Sequence, residues 1–367
     1  MNGLNIFLCG DVMTGRGVDQ ILPHPGDPTL RERVVGDART YVKLAERASG
    51  PVPQPADFRW PWGDALDVLD EVAPDARLLN LETAVTTRGD FATHKAIHYR
   101  MHPKNVECLT AARPDVCVLA NNHILDFGAD GLADTLRVLA DAELGSVGAG
   151  LDVDAAHRPV VTETRGGRVI CGAAGLRSSG VPAGWAATRD RPGVAFISDT
   201  STATADELAE RVSTLEGDGD VCVASLHWGS NWGYGIDAGQ RAFAHRLIDA
   251  GVDVVYGHSS HHPRPIEVYR GKLILYGCGD LVNDYEGIGG YQAYRGELRL
   301  MYFASVDPAS GQLIELHMVP MRGRRMRLQR VGQDDAEWMR SRLQDTSRDF
   351  ETRVEIDADG LLSVRGP

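Results

Sequence analysis

The sequence predicts an α/β protein, and three observations carry that reading. Short apolar runs recur along the chain, amphipathic helical patterns lie between them, and each run ends in polar residues. The runs are "NIFLCGD" (5–11), "RLLNLE" (77–82), "VCVLANNH" (116–123), "VCVASLHW" (221–228), "VDVVYGH" (252–258) and "KLILYGCGD" (272–280). Their length and their content of Val, Ile and Leu suit strands buried on both faces. Alternation of strand and helix implies sheets whose carboxyl edges gather the functional groups.

The helices follow from 3.6-residue periodicity. "DGLADTLRVLADA" (130–142) opens with acidic residues and places Leu132, Leu136 and Leu139 on one face. "TADELAERVSTLE" (204–216) does the same with Leu208, Val212 and Leu215, and "DAGQRAFAHRLIDAG" (237–251) ends at Gly251, a good C-terminal cap. Two hairpins are predicted, 297–307 with 312–322 around "PASG", and 159–175 around Gly166-Gly167. We expect one main domain over residues 1–325, with a C-terminal helix (334–350) and closing hairpin packed on it over 326–367. The stretch 19–63 is the least regular, which suits a lid, a substrate wall or a surface excursion.

Composition excludes several classes. The 367 residues carry a net charge of −13, and the longest basic run is "GRRMRLQR" (323–330), expected to follow an exposed strand and to be simply solvated. A nucleic-acid binder displays a basic face, so no nucleic-acid partner is expected, and no anionic membrane surface either. The six cysteines lie mostly in apolar runs without a CxxC pair, the pattern of buried thiols in a reducing compartment. No signal peptide or membrane-spanning run is evident, so a cytoplasmic location is expected.

The strand ends supply Asp11, Asn80 with Glu82, Asn121-Asn122-His123 with Asp126, His227, the histidines 258, 261 and 262, and Asp280 with Asn283. A single buried histidine at a strand end is more often structural than functional. Six strand ends furnished alike point to a site.

The blocks "GDVMTGR", "NLETAVT", "ANNHILDFGADGL", "SLHWGSNW" and "GHSSHHPRPIEVYRGKLILYGCGDLVND" resemble those of CapA-type proteins. These form the poly-γ-glutamate (capsule) synthesis family of the calcineurin-like metallophosphoesterase superfamily. The resemblance implies a four-layer α/β/β/α sandwich with a metal site at the sheet edges. It implies Asp11, Glu82, Asn122, His227, His258 and His261 as ligands, Glu82 standing where a bridging aspartate is usual, and His123 as general acid. Met13 occupies the place of a ligand histidine, which weakens the pocket for a second ion. The set therefore suits one divalent ion (Mn, Zn, Fe or Mg), with a metal-independent acid–base cluster as the alternative and no organic cofactor.

Three functions fit that resemblance. The leading expectation is a peptide substrate epimerised at an α-carbon, since CapA-like proteins occur as epimerases of ribosomally made peptides. Asp11, His123, His258 and His261 would then exchange the proton. Arg100, Arg264 or Lys95 would hold a terminal carboxylate, and Trp60, Trp62, Trp228, Trp232 and Tyr234 would wall a side-chain pocket. The alternatives are a metal-dependent phosphoesterase or γ-glutamyl amidase, and a protein of capsule or poly-γ-glutamate biosynthesis. Oligomeric state is not legible in the sequence.

Overall fold

The computed structural model describes residues 3–366. Two sheets face each other. The larger runs Glu355–Ile356, Leu362–Arg365, Leu313–Gly323, Leu298–Val306, Leu4–Val12, Ala76–Leu81, Val116–Val118 and Gly145–Val147 in spatial order. The second runs Phe196–Ile197, Arg168–Leu176, Val221–His227, Val254–His258, Lys272–Leu275 and Ile266–Tyr269. In both, the central strands that carry the predicted motifs are parallel.

Alternation along the first strand shows why the layers form. Leu4, Ile6 and Leu8 join Val169, Cys171, Val223, Val254 and Leu275 in the core between the sheets. Phe7 and Cys9 point the other way, into a core closed by Leu66 and Leu69 of helix Ala65–Val72 and Leu132 and Leu139 of helix Gly128–Asp141. Beyond the second sheet, Leu226 and Val255 meet Leu208 of helix Thr202–Ser213 and Phe243 and Leu247 of helix Ala238–Asp249. The expected α/β/β/α sandwich is thus present, because the strands are apolar on both faces and each outer face needs a helical cover.

Three details depart from expectation. Leu215 lies beyond the end of its helix and is 43% exposed, so the apolar face there is carried by Leu208 and Val212. Within the irregular stretch, Arg39–Ser49 is a helix that buries Tyr41, Val42 and Ala45 against Ile21, Val52 and Met326. Its apolar stripe is only three residues wide among charged neighbours, too narrow for periodicity to announce it. The basic run is not simply solvated: Leu328–Arg330 pairs with Leu313–Gly323, and residues 323, 324 and 326–328 border the cavity described below.

The C-terminal segment adds Leu362–Arg365 to the larger sheet and sends Met339 and Leu343 into the core between the sheets. No helix among the described residues is long and apolar enough to cross a membrane.

Candidate metal centre

The strands of both sheets deliver their polar ends to one place. Two of them carry the same triplet, Cys9-Gly10-Asp11 and Cys278-Gly279-Asp280. These triplets lie side by side in parallel, Asp11 opposite Asp280, with the Asp11 N–H donating to the Gly279 carbonyl at 2.9 Å. A Cβ on Gly10 would stand 1.5 Å from that carbonyl oxygen, so only glycine permits the approach. Two buried carboxylates are thereby held as neighbours.

Asp11 belongs to two groups of potential ligand atoms, each group within 4.8 Å: Asp11 with His227 and His258, and Asp11 with His261 and Asp280. His227 and His258 end adjacent strands in register, their Nδ1 atoms 2.7 Å apart. The Asn122 carbonyl oxygen faces His227 Nε2 at 3.0 Å. With the ring proton on Nε2 in that contact, Nδ1 would keep the lone pair that ligates metals. His258 Nε2 meets the Ser225 hydroxyl at 2.9 Å. Ser259 adopts a left-handed backbone (φ 101°), and the turn it makes brings His261 back to the same edge as His258. His261 Nδ1 bonds Asp280 Oδ1 at 2.9 Å, and Asp280 Oδ2 accepts from Asn283 at 2.6 Å.

Asn80 ties the carboxylates together, its Nδ2 donating to Asp11 Oδ1 at 2.8 Å and to Glu82 Oε2 at 3.0 Å. Asp11 Oδ2 is buried without any hydrogen-bond partner. An orphaned buried carboxylate oxygen costs several kcal/mol unless a cation or proton meets it (of order 1–3 kcal/mol or more). The three imidazoles and the Asp280 carboxylate that join Asp11 in the two groups fit a divalent ion of the Mn, Fe or Zn type, so the donor chemistry agrees with the orphaned oxygen.

The charges behave accordingly. Burial, then repulsion from Glu82 and Asp280, raises the Asp11 carboxyl well above its usual range. Burial pushes Glu82 up to about 8. Burial lowers His258 to about 3 and His227 well below its usual value, so both are neutral and ready to ligate. An ion that binds here displaces a proton held by the carboxylates. Its affinity is expected to rise about tenfold per pH unit from about pH 6 to 8 for one proton released. Calorimetry in buffers of different ionisation enthalpy counts that proton.

His123 sits at the side of the cluster. Asp126 holds its Nδ1 at 2.7 Å, and Lys95 lies 2.9 Å from the same nitrogen while pairing with Asp126 at 2.5 Å. Its Nε2 is 3.7 Å from Glu82 Oε1.

A family model described as "Bacterial capsule synthesis protein PGA_cap" matches residues 5–285. The chain belongs to that family. A Mycobacterium tuberculosis protein named "Probable polyglutamine synthesis accessory protein" is 58% identical over 363 residues, 98% of this chain and 96% of its own length. The "PGA biosynthesis protein CapA" of Bacillus subtilis is 29% identical over 282 residues, covering 77% of this chain and 63% of that protein. The "Capsule biosynthesis protein CapA" of Bacillus anthracis is 27% identical over 281 residues, with 77% and 60% covered. Among solved structures, a phosphatase from Mycoplasma pneumoniae aligns over 88% of this chain and 94% of its own at 13% identity, with a TM-score of 0.46.

Within this family member the structure redistributes several expected roles. Glu82 was expected to bridge, but it stands in neither ligand group, and Asp11 is the carboxylate common to both. Asp280 completes the second group, so Met13 does not empty that pocket; Met13 is buried and receives the Tyr285 hydroxyl at 3.7 Å. The repeated CGD triplet was the signal that could have found Asp280. Asn122 meets the cluster through its bond to His227, while His262 faces away, stacked on Tyr294 and Trp232.

The substrate-binding expectations divide. Trp228 is 1% exposed, bonds the Tyr276 carbonyl and stacks on that ring, so it belongs to the core and does not line the cavity that reaches His261 and Asp280. Trp62 is likewise wholly buried. Arg264 is 2% exposed and spends its guanidinium on the Ser230 carbonyl and hydroxyl, both at 2.8 Å; it braces a loop instead of meeting solvent. Arg100 lies over the Phe127 ring at 4.4 Å and 3.9 Å from Asp27, and Lys95 is engaged with Asp126. Trp232 does line a cavity, of about 730 Å³, which reaches His261 and Asp280.

Proposed function

We propose that this chain is a divalent-metal-assisted hydrolase of γ-glutamyl chains that serves polyglutamate synthesis. The observation that carries the reading is that Asp11, whose Oδ2 is buried without a partner, belongs to both the His227–His258 and the His261–Asp280 groups. The family match and the names of the relatives support the pathway. When bound, a divalent ion supplies Lewis acidity toward a carbonyl or phosphoryl oxygen.

The chain's own residues do the rest. Asp11, His227, His258, His261 and Asp280 would hold the ion, and Asn80 and Ser225 orient the first and third of these. Burial lowers His123 to about 4, so the ring is neutral, and with Lys95 donating to Nδ1 its one proton would stand on Nε2, facing the cluster, where a leaving amine would take it. The water that hydrolysis consumes would enter from the cavity that reaches His261 and Asp280, while burial of the ligand side chains strengthens each of these contacts.

The test uses γ-linked glutamate oligomers in deuterated water with Mn²⁺ or Zn²⁺, with and without a chelator. New amines that disappear on chelation are expected. Deuterium entering an α-position without cleavage would overturn this reading in favour of epimerisation. Oligomers left intact and unlabelled by the metal-loaded protein would remove γ-glutamyl chains as the substrate.

A further inference from the structure

The cavity beside His261 and Asp280 has walls that the centre itself does not explain. Five arginines line it in a chain of net charge −13: Arg16, Arg299, Arg322, Arg324 and Arg327. Three of them are matched by acids. Arg16 pairs with Glu32 and Asp284, Arg322 with Asp335 and Arg327 with Asp64.

Arg299 and Arg324 have no ion-pair partner among the described residues. Arg299 is 3% exposed, and its contacts are neutral: the Asn283 carbonyl oxygen at 2.9 Å, Leu298 O at 3.1 Å and Gly296 O. Its Nε is buried with no partner at all. A buried guanidinium with no carboxylate in ion-pair contact is expensive, because Asp280, Glu297 and Glu286 offset its desolvation only from a distance and in part. Arg324 is exposed on the same wall. The two are close through Gly323, where a Cβ would stand 3.7 Å from Arg299 Nη2. Trp232 and Tyr291, stacked with centroids 3.8 Å apart, form a flat apolar surface in the same cavity.

We infer that this cavity is a carboxylate-recognition subsite, in which Arg299 and Arg324 hold an acidic group of a peptide chain whose scissile bond lies at the metal centre. A planar guanidinium presents paired donors to a carboxylate, and the desolvated site makes that contact charge-assisted and strong. The Trp232–Tyr291 surface takes the methylene stem. Arg299 is also a positioning residue: it holds Asn283, which donates to Asp280 Oδ2. This inference rests on the hydrolase reading for what lies at the centre, but binding can be measured without turnover.

The test is equilibrium binding of N-acetylated di-γ-glutamate, which carries three carboxylates, to the metal-free protein by calorimetry. Its neutral triamide and inorganic phosphate serve as comparison probes. We expect the triacid to bind at least about tenfold tighter than the triamide and to weaken with salt. Arg324→Gln, at an exposed position that leaves the fold intact, should cost about threefold, and Arg299→Gln about tenfold, with Arg299→Lys recovering part of it. Equal affinity for triacid and triamide, or unchanged affinity in Arg324→Gln and Arg299→Lys, would overturn the proposal. So would phosphate displacing the triacid at equal concentration, since the subsite would then read phosphate. Binding without hydrolysis in the metal-loaded protein would leave the subsite standing and remove the hydrolase reading. Hydrolysis with a KM indifferent to Arg324→Gln would do the reverse.

Discussion

Asp11→Asn should abolish metal binding and activity together while making the metal-free protein more stable. The substitution keeps the shape of the side chain but removes the charge that both ligand groups share. Loss of a neighbour that merely orients a ligand costs about 10–100-fold in metal affinity. Removing a ligand common to two positions should cost at least the upper end of that range, and turnover should fall by about a thousandfold. The opposite sign for stability follows from burial: Asp11 lies between Glu82 and Asp280, and repulsion among them is part of what raises its carboxyl. Neutralising one member relieves that repulsion by about 1–2 kcal/mol. Chelator-treated wild type and variant, compared by denaturant midpoint and metal content, check both signs. A variant that is inactive and also less stable would mean that Asp11 is structural.

Asp284→Ala should be the most destabilising change near the cavity. Asp284 is wholly buried and accepts from Arg16 Nε at 3.1 Å, from Arg16 Nη2 at 2.5 Å and from the Gly17 N–H at 2.8 Å. Arg16 has a left-handed backbone (φ 47°) and lies over the Tyr41 and Tyr99 rings at 3.9 and 4.6 Å. It is committed to this place whether or not its partner remains. Breaking one side of such a buried pair costs about 3–5 kcal/mol, because the other charge is left uncompensated. Glu32, at 2.8 Å, recovers a part. Arg16→Met combined with Asp284→Leu should therefore cost less than Asp284→Ala alone. Urea unfolding with an unchanged m-value would show that stability, not the unfolded chain, has moved.

The sheet positions and much of the site were legible because they rest on local pattern. A strand buried on both faces must be an apolar run, and a residue at its carboxyl end must face the sheet edge, so Asp11, His227 and His258 could be placed from their runs. That Asp280 and not Glu82 completes the second ligand group was not legible in the apolar runs, because it depends on a strand pairing across the chain to which only the repeated CGD triplet pointed. The same limit hid the cavity. Arg299 sits in an ordinary-looking strand and Arg324 in a basic run, and only folding shows that one is buried without an acid and the other faces the same space. Trp228 and Arg264 were misassigned for a related reason. Residues next to functional histidines are as often the packing that holds the loop as the wall that meets a ligand.

The pairing of the two CGD triplets also has a meaning in time. Asp11 enters the chain near its start, whereas Asp280 and His261 arrive more than two hundred residues later. Parallel contacts of such sequence separation form late, after costly loop closure. The full ligand set therefore exists only once both sheets are complete. An ion bound there cannot help the chain find its fold, but it must leave before the first and last strands part. It should act as a latch on unfolding, lengthening the life of the native state while leaving the refolding rate almost unchanged.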